Sequence, residues 1–111
     1  MTIGIVTLAE RKARAKAARV AASERIAAAL RAYARVHGGR YVLFGSAARG
    51  EMRHDSDIDI LVDFPPEREA EAMRHAEDLC AAEDQSCDVL PMLSRDPAFL
   101  QRISPEAVDL S

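Results

Sequence analysis

The chain contains no tryptophan, and aromatic residues make up only 5% of it. A surface that stacks exposed bases on aromatic rings is therefore poorly provided for, and direct nucleic-acid binding is not expected. Two cysteines, Cys80 and Cys87, are too few for a disulfide-stapled scaffold. With no secretion signal ahead of them, reduced thiols in a cytoplasmic protein are the expectation. His37, His54 and His75 form no zinc-type spacing with either cysteine. Long apolar runs are missing too: Ile3–Leu8 is shorter than a signal-peptide core, and nothing approaches the roughly 20 residues that cross a bilayer. Glycine and proline number five each and nowhere cluster into a linker.

What remains is a chain of 111 residues, 49% hydrophobic and 30% charged, enough for one folded domain with a modest core. The net charge of −3 conceals a division. Residues 1–54 carry eleven Lys or Arg against three acids, whereas residues 55–111 carry four Arg against fifteen acids. A split of this kind usually marks an interaction tail, so the placement of the charges matters.

Thr7-Leu8-Ala9-Glu10 has the form of a capping box, which satisfies free N–H groups at a helix start. Twelve alanines between Ala9 and Ala34 favour that helix, and Gly38-Gly39 ends it. Ile26, Leu30, Tyr33 and His37 make one apolar stripe, while the turns before Arg19 hold almost no large apolar residue. Residues 1–25 are therefore expected to form an Ala/Arg-rich helical extension, and residues 26–111 the domain proper. Arg40–Phe44 reads as a short buried strand, and Ser56–Phe64 alternates with period two as a second. Pro65-Pro66 ends that strand, Glu67–Asp84 reads as a helix with Ala70, Met73, Glu77 and Cys80 on one face, and Ser86–Pro91 as a third strand. Helical turns are expected at Pro97–Ile103 and again at Glu106–Leu110. The order predicts an α/β (α+β) fold, a small mixed β-sheet flanked by helices.

Alternation places Asp57, Asp59, Leu61 and Asp63 on one face of the second strand and Ile58, Ile60, Val62 and Phe64 on the other, the core face. Two carboxylates roughly 6–7 Å apart along a strand repel unless a cation lies between them. An isolated Asp-x-Asp most often belongs to a solvated edge strand. Here the first strand ends at Gly45-Ser46, and antiparallel pairing brings that turn to the end of the sheet that carries the aspartates. Gly45 permits close approach to the backbone, and Ser46 opens a brief helix whose free N–H groups suit an anion. A crossover helix makes the third strand parallel to the second, which brings Asp88 to the same end. Arg49 could neutralise phosphate charge or pair with Glu51 or Asp55. Arg53 and His54 read as solvated loop residues, and the Arg/Lys run Arg11–Arg19 as a solvated face or a docking surface.

Phe44-Gly45-Ser46-Ala47-Ala48-Arg49-Gly50 followed by Ser56-Asp57-Ile58-Asp59-Ile60-Leu61-Val62 resembles the signature of the DNA polymerase β-like nucleotidyltransferases. Among them the likeness is to the minimal nucleotidyltransferase (MNT) antitoxins paired with HEPN toxins, and it covers about Ile26 to Leu110. The resemblance implies that Gly45 and Ser46, with Arg49, contact nucleotide phosphates, and that Asp57, Asp59 and Asp88 are the catalytic triad and bind two Mg²⁺. It implies ATP as substrate, and as partner a HEPN ribonuclease toxin silenced by AMP on a tyrosine, with which the chain would assemble. Two other readings stay open. One is a non-catalytic antitoxin that occludes its toxin, disfavoured by three convergent acids. The other is a small-molecule (aminoglycoside-type) nucleotidyltransferase, disfavoured because no acceptor-binding sequence is present.

Overall fold

A computed structural model describes residues 7–45, 48, 57–92 and 96–111. Helix α1 runs from Leu8 to His37, and the capping box forms as its sequence predicts. The Glu10 N–H donates to Thr7 Oγ1 at 3.1 Å, and the Thr7 N–H donates to Glu10 Oε2 at 3.4 Å. At the other end Gly38 takes the left-handed conformation, φ 73°, and its N–H donates to the Ala34 carbonyl at 3.0 Å. Then follow β1 (Arg40–Phe44), β2 (Ile58–Asp63), α2 (Pro66–Ala82), β3 (Cys87–Pro91), α3 (Pro97–Ile103) and β4 (Val108–Leu110).

The sheet order is β3-β2-β1-β4. β1 pairs antiparallel with β2 and with β4, and β2 pairs parallel with β3, so the sheet is mixed as expected. One expectation fails: Glu106–Leu110 is not a helix. Its last three residues form the edge strand β4, with Leu110 opposite Tyr41 and only 2% exposed. A segment of five residues cannot recover the cost of helix nucleation, whereas the open edge of β1 supplies backbone partners at once.

α1 and α2 lie antiparallel, side by side, on one face of the sheet. Their contact runs from the Arg25–Glu83 ion pair (2.6 Å) to Arg68 Nη1 against His37 Nδ1 (3.3 Å), with Tyr33 and His75 stacked between at 4.0 Å. Ile26, Leu30, Ile58, Ile60, Val62 and Phe64 are buried beneath them, the face that alternation assigned to the core. α2 contributes Ala72, Ala76 and Cys80. The face expected from the sequence is therefore rotated: Ala70 and Glu77 are exposed, and Met73 is only partly buried. The opposite face was expected to meet solvent, yet it holds a second, smaller core. Leu61 is fully buried there with Val42 and Phe44 under Phe99, Leu100 and Ile103, the apolar residues of α3.

Tyr41 is fully buried and its hydroxyl donates to the Ala72 carbonyl at 2.8 Å, tying β1 to α2. Burial pushes its pKa up, so it stays a neutral donor. Tyr41→Phe is expected to cost about 1 kcal/mol, the net value of one buried hydrogen bond, read from the urea unfolding midpoint at unchanged m-value. Cys80 and Cys87 are both free thiols, as expected. No helix among the described residues is long and apolar enough to cross a membrane.

Candidate active site

The register of β1 against β2 sets Phe44 opposite Asp59, so the residue that follows, Gly45, leaves the sheet beside that carboxylate. Gly45 has φ +73°, a conformation that costs glycine nothing and other residues strain. A Cβ built on it would collide with Asp59 Oδ2 and stand 3.2 Å from Asp59 Cγ. The Asp59 carboxylate thus lies directly over the bare backbone of Gly45. The sequence assigned this glycine to phosphate approach; the structure adds that glycine is also needed to seat the aspartate.

On the other side of β2, the parallel register pairs Asp59 with Asp88. Neighbouring strands lie about 4.8 Å apart, and paired residues point to the same face. The crossover through α2 makes β3 parallel to β2, as expected, and so brings Asp88 to the end of the sheet that carries Asp59. Asp57 stands one residue before β2, where the Ile58 N–H donates to the Ser86 carbonyl at 3.0 Å and locks the starts of β2 and β3 together. Asp57 and Asp88 are exposed and Asp59 is half-buried. Asp63, the next residue but one after Leu61 on the same face, sits at the far end of the sheet. It accepts from Arg40 Nε at 2.6 Å, and Arg40 Nη1 donates to Asp109 at 2.9 Å, so Asp63 is part of an ion-pair cluster away from the site. Ser46, Arg49, Arg53 and His54 lie outside the described residues.

The site end is electronegative, and Cys87 registers this. Burial pushes its thiol up, a hydrogen bond accepted from Cys80 opposes that, and the nearby carboxylates of Glu77, Asp88 and Asp57 add smaller upward pushes. A thiol so placed stays protonated and is no nucleophile. Nothing in the sequence marked Cys87 as a neighbour of the aspartates except its place one residue before Asp88.

Among the described residues no three His, Cys, Asp or Glu side chains gather as a ready-made metal cage. The donor chemistry nevertheless fits Mg²⁺, which prefers one or two carboxylates completed by substrate phosphates and water over an all-protein cage. The Asp59 carboxylate seated against the bare backbone of Gly45, with Asp57 and Asp88 exposed nearby, is consistent with that division of ligands. A cleft of about 530 Å³ lined by Gly38, Gly39, Arg40, Asp63, Phe64 and Pro65 lies at the opposite end of the sheet and takes no part in this arrangement.

Among the described residues three helices flank a mixed four-stranded sheet that carries acids and a glycine turn at one end. The structure superposes on that of a candidate minimal nucleotidyltransferase with a TM-score of 0.66 at 26% identity, covering 80% of this chain and 93% of the other. A protein of Methanocaldococcus jannaschii described as a candidate protein adenylyltransferase is 39% identical over 72 residues, 64% of this chain and 77% of the relative. A chain in a crystal structure of a toxin-antitoxin with AMP-PNP superposes with a TM-score of 0.51 at 25% identity, covering 66% of this chain and 60% of that one. The chain belongs to the nucleotidyltransferase domain family, whose pattern it matches over residues 23–110.

Proposed function

We propose that the protein transfers AMP from ATP to a tyrosine hydroxyl of a HEPN ribonuclease toxin and so acts as its antitoxin. The observation that carries this reading is Asp59, held between the bare backbone of Gly45 and the register partner Asp88. The name of the archaeal relative supports protein as the acceptor, and the nucleotide-bound toxin-antitoxin neighbour supports both ATP and a toxin partner. The HEPN identity of the partner rests on the resemblance of the Gly45–Ser46 and Asp57–Asp59 motifs to MNT antitoxins.

Asp57 and Asp59, with Asp88, would hold Mg²⁺, two ions in the full arrangement, which offsets the charge of the triphosphate. Gly45 and Ser46 would approach the phosphates through backbone N–H groups, and Arg49 would add a positive charge there. The acceptor oxygen attacks the α-phosphorus in line, the bond to the bridging oxygen breaks, and pyrophosphate leaves. The acceptor proton passes to a carboxylate oxygen of Asp88. In such chemistry positioning and charge neutralisation supply most of the acceleration.

The test mixes the full chain with its partner toxin, Mg²⁺ and ATP labelled at the α-phosphate. Label on a partner tyrosine, lost with chelator and absent with GTP, is the expected result. No label on the partner, with toxicity still suppressed by the Asp57→Ala, Asp59→Ala double variant, would replace transfer with occlusion. Label on an aminoglycoside instead of the partner would identify the small-molecule class.

A further inference from the structure

The sheet order leaves two edges, β3 and β4. β4 is three residues long, and its Asp109 is held by Arg40 at 2.9 Å. β3 is the more open edge: none of its five residues is buried, whereas four of five in β1 and four of six in β2 are. In a parallel ladder the residues of a strand alternate between bonding to the neighbour and pointing away from it. The Ile58 N–H donates to the Ser86 carbonyl at 3.0 Å, which fixes the phase. Asp88 and Leu90 therefore bond to β2, and the backbone N–H and C=O groups of Cys87 and Val89 point outward. Among the described residues no backbone hydrogen bond reaches either outward N–H.

The side chains along this edge fall on two faces. Cys87 and Val89 pack half-buried against the main core, beneath α2, whereas Asp88 and Leu90 share the face of their register partners Asp59 and Leu61. α2 rests on β2 and β3, and α1 on β1 and β4. On α2, His75 and Leu79 each precede a buried residue by one position and line the groove with α1. Met73 and Glu77 each follow a buried alanine by one position, so they lie on the opposite side of the helix, over β3. Met73 is half-buried and Glu77 exposed. The outward backbone groups thus run between an apolar strip of Met73, Cys87 and Val89 and the exposed carboxylate of Asp88.

An edge of this kind takes an extended chain as an added strand. A second copy of β3 is a poor occupant: laid antiparallel about its centre, it would set Asp88 against Asp88, and like charges directly opposite one another destabilise a pair. We propose that the occupant is an extended segment of the acceptor protein, paired antiparallel with β3 and carrying the acceptor tyrosine opposite Asp88, an inference that rests on the reading of the chain as a protein adenylyltransferase. Cys87 and Val89 then make the hydrogen-bonded pairs, and Asp88 the intervening pair in which facing side chains lie closest. The tyrosine shares the face of Asp88 and Asp59, so main-chain pairing holds it in register with the carboxylates. Its two neighbours in the segment point to the other face and cover Met73, Cys87 and Val89, which calls for apolar residues on both sides of the tyrosine. Glu77 and Asp88 call for Lys or Arg close by. Pro91 has no N–H to offer and confines the pairing to the stretch nearest the site.

Amide exchange read residue by residue tests it, in the full chain alone and in complex with the toxin of the transfer assay. Bound toxin should slow the Cys87 and Val89 amides at least about tenfold and change those of Asp88 and Leu90, already bonded to β2, much less. Val89→Pro removes an outward N–H and leaves the ladder to β2 intact. It should weaken toxin binding at least about tenfold and raise KM for the toxin, while keeping the gain in melting temperature that Mg²⁺ and ATP give the wild type. The exchange measurement needs no variant, so it decides the matter if Val89→Pro does not fold. Unchanged Cys87 and Val89 amides in the complex, protection confined to α1 or another surface, or a folded Val89→Pro that binds toxin as the wild type does would overturn the proposal. Label on the toxin tyrosine would in that case leave the transfer reading standing. Protected Cys87 and Val89 amides without label on the toxin would uphold β3 as the docking edge and remove the transfer.

Discussion

Asp59→Asn should reduce AMP transfer by about a thousandfold while leaving the protein folded. Asp59 sits at the centre of the candidate site, with Gly45 below it and Asp88 beside it. The substitution keeps the shape of the side chain and removes the charge that a divalent cation needs. Losing about 4 kcal/mol of transition-state charge stabilisation corresponds to that rate factor. Folding and transfer are separated by thermal melts with and without Mg²⁺ and ATP. The wild-type protein should gain melting temperature in their presence, because ligands that bind only the folded state stabilise it by mass action. Asp59→Asn should melt as a cooperative unit yet lose most of that gain. Gly45→Ala is the companion experiment. Its added Cβ meets the Asp59 carboxylate and its positive φ strains the backbone, so transfer should fall although every carboxylate remains. Full activity in Asp59→Asn would remove the aspartate from the chemistry altogether.

The parts of this site that were legible in the sequence depend on short-range rules. The alternation of Ile58, Asp59 and Ile60 is a period-two pattern, and all three residues lie within a single strand. Thr7, Glu10 and Gly38 are end signals that act within one helical turn. Asp88 was placed by the parallel direction that a helical crossover imposes, which needs only a strand, a helix and a strand in order. What was not legible depends on distant partners. β4 is three residues long and exists because β1 offers it an edge, so nothing local distinguishes it from a frayed helix. The buried face of α2 is built from alanines, and a helix holding Ala70, Ala72 and Ala76 gives little hydrophobic contrast by which to orient it.

Leu61 illustrates the same distinction with a large energetic consequence. Alternation groups it with Asp57 and Asp59 on the side expected to meet solvent, and on that basis Leu61→Ala would cost no more than about 0.5 kcal/mol, the usual range for a surface change. In the structure Leu61 is fully buried on a central strand, packed with Val42 and Phe44 beneath α3. Alanine there removes three buried carbon atoms and leaves a cavity that the flanking strands cannot close. The expected cost is about 3 kcal/mol or more, a substantial part of the roughly 5–15 kcal/mol that holds a domain together. For a chain of this size that lowers the melting temperature by roughly 10 °C or more. The effect should extend to the site, because Leu61 is two residues from Asp59 on the same face of β2. α3, which is only seven residues long and has no fully buried residue of its own, depends on this small core for its position. Proton exchange should therefore accelerate first in α3 and the ends of β1, before β2 and β3 open. Transfer activity measured through the lowered melting transition should then fall in proportion to the folded fraction, with KM for ATP little changed. A variant that kept wild-type stability would return Leu61 to the solvent side of the sheet and deny that α3 is anchored there.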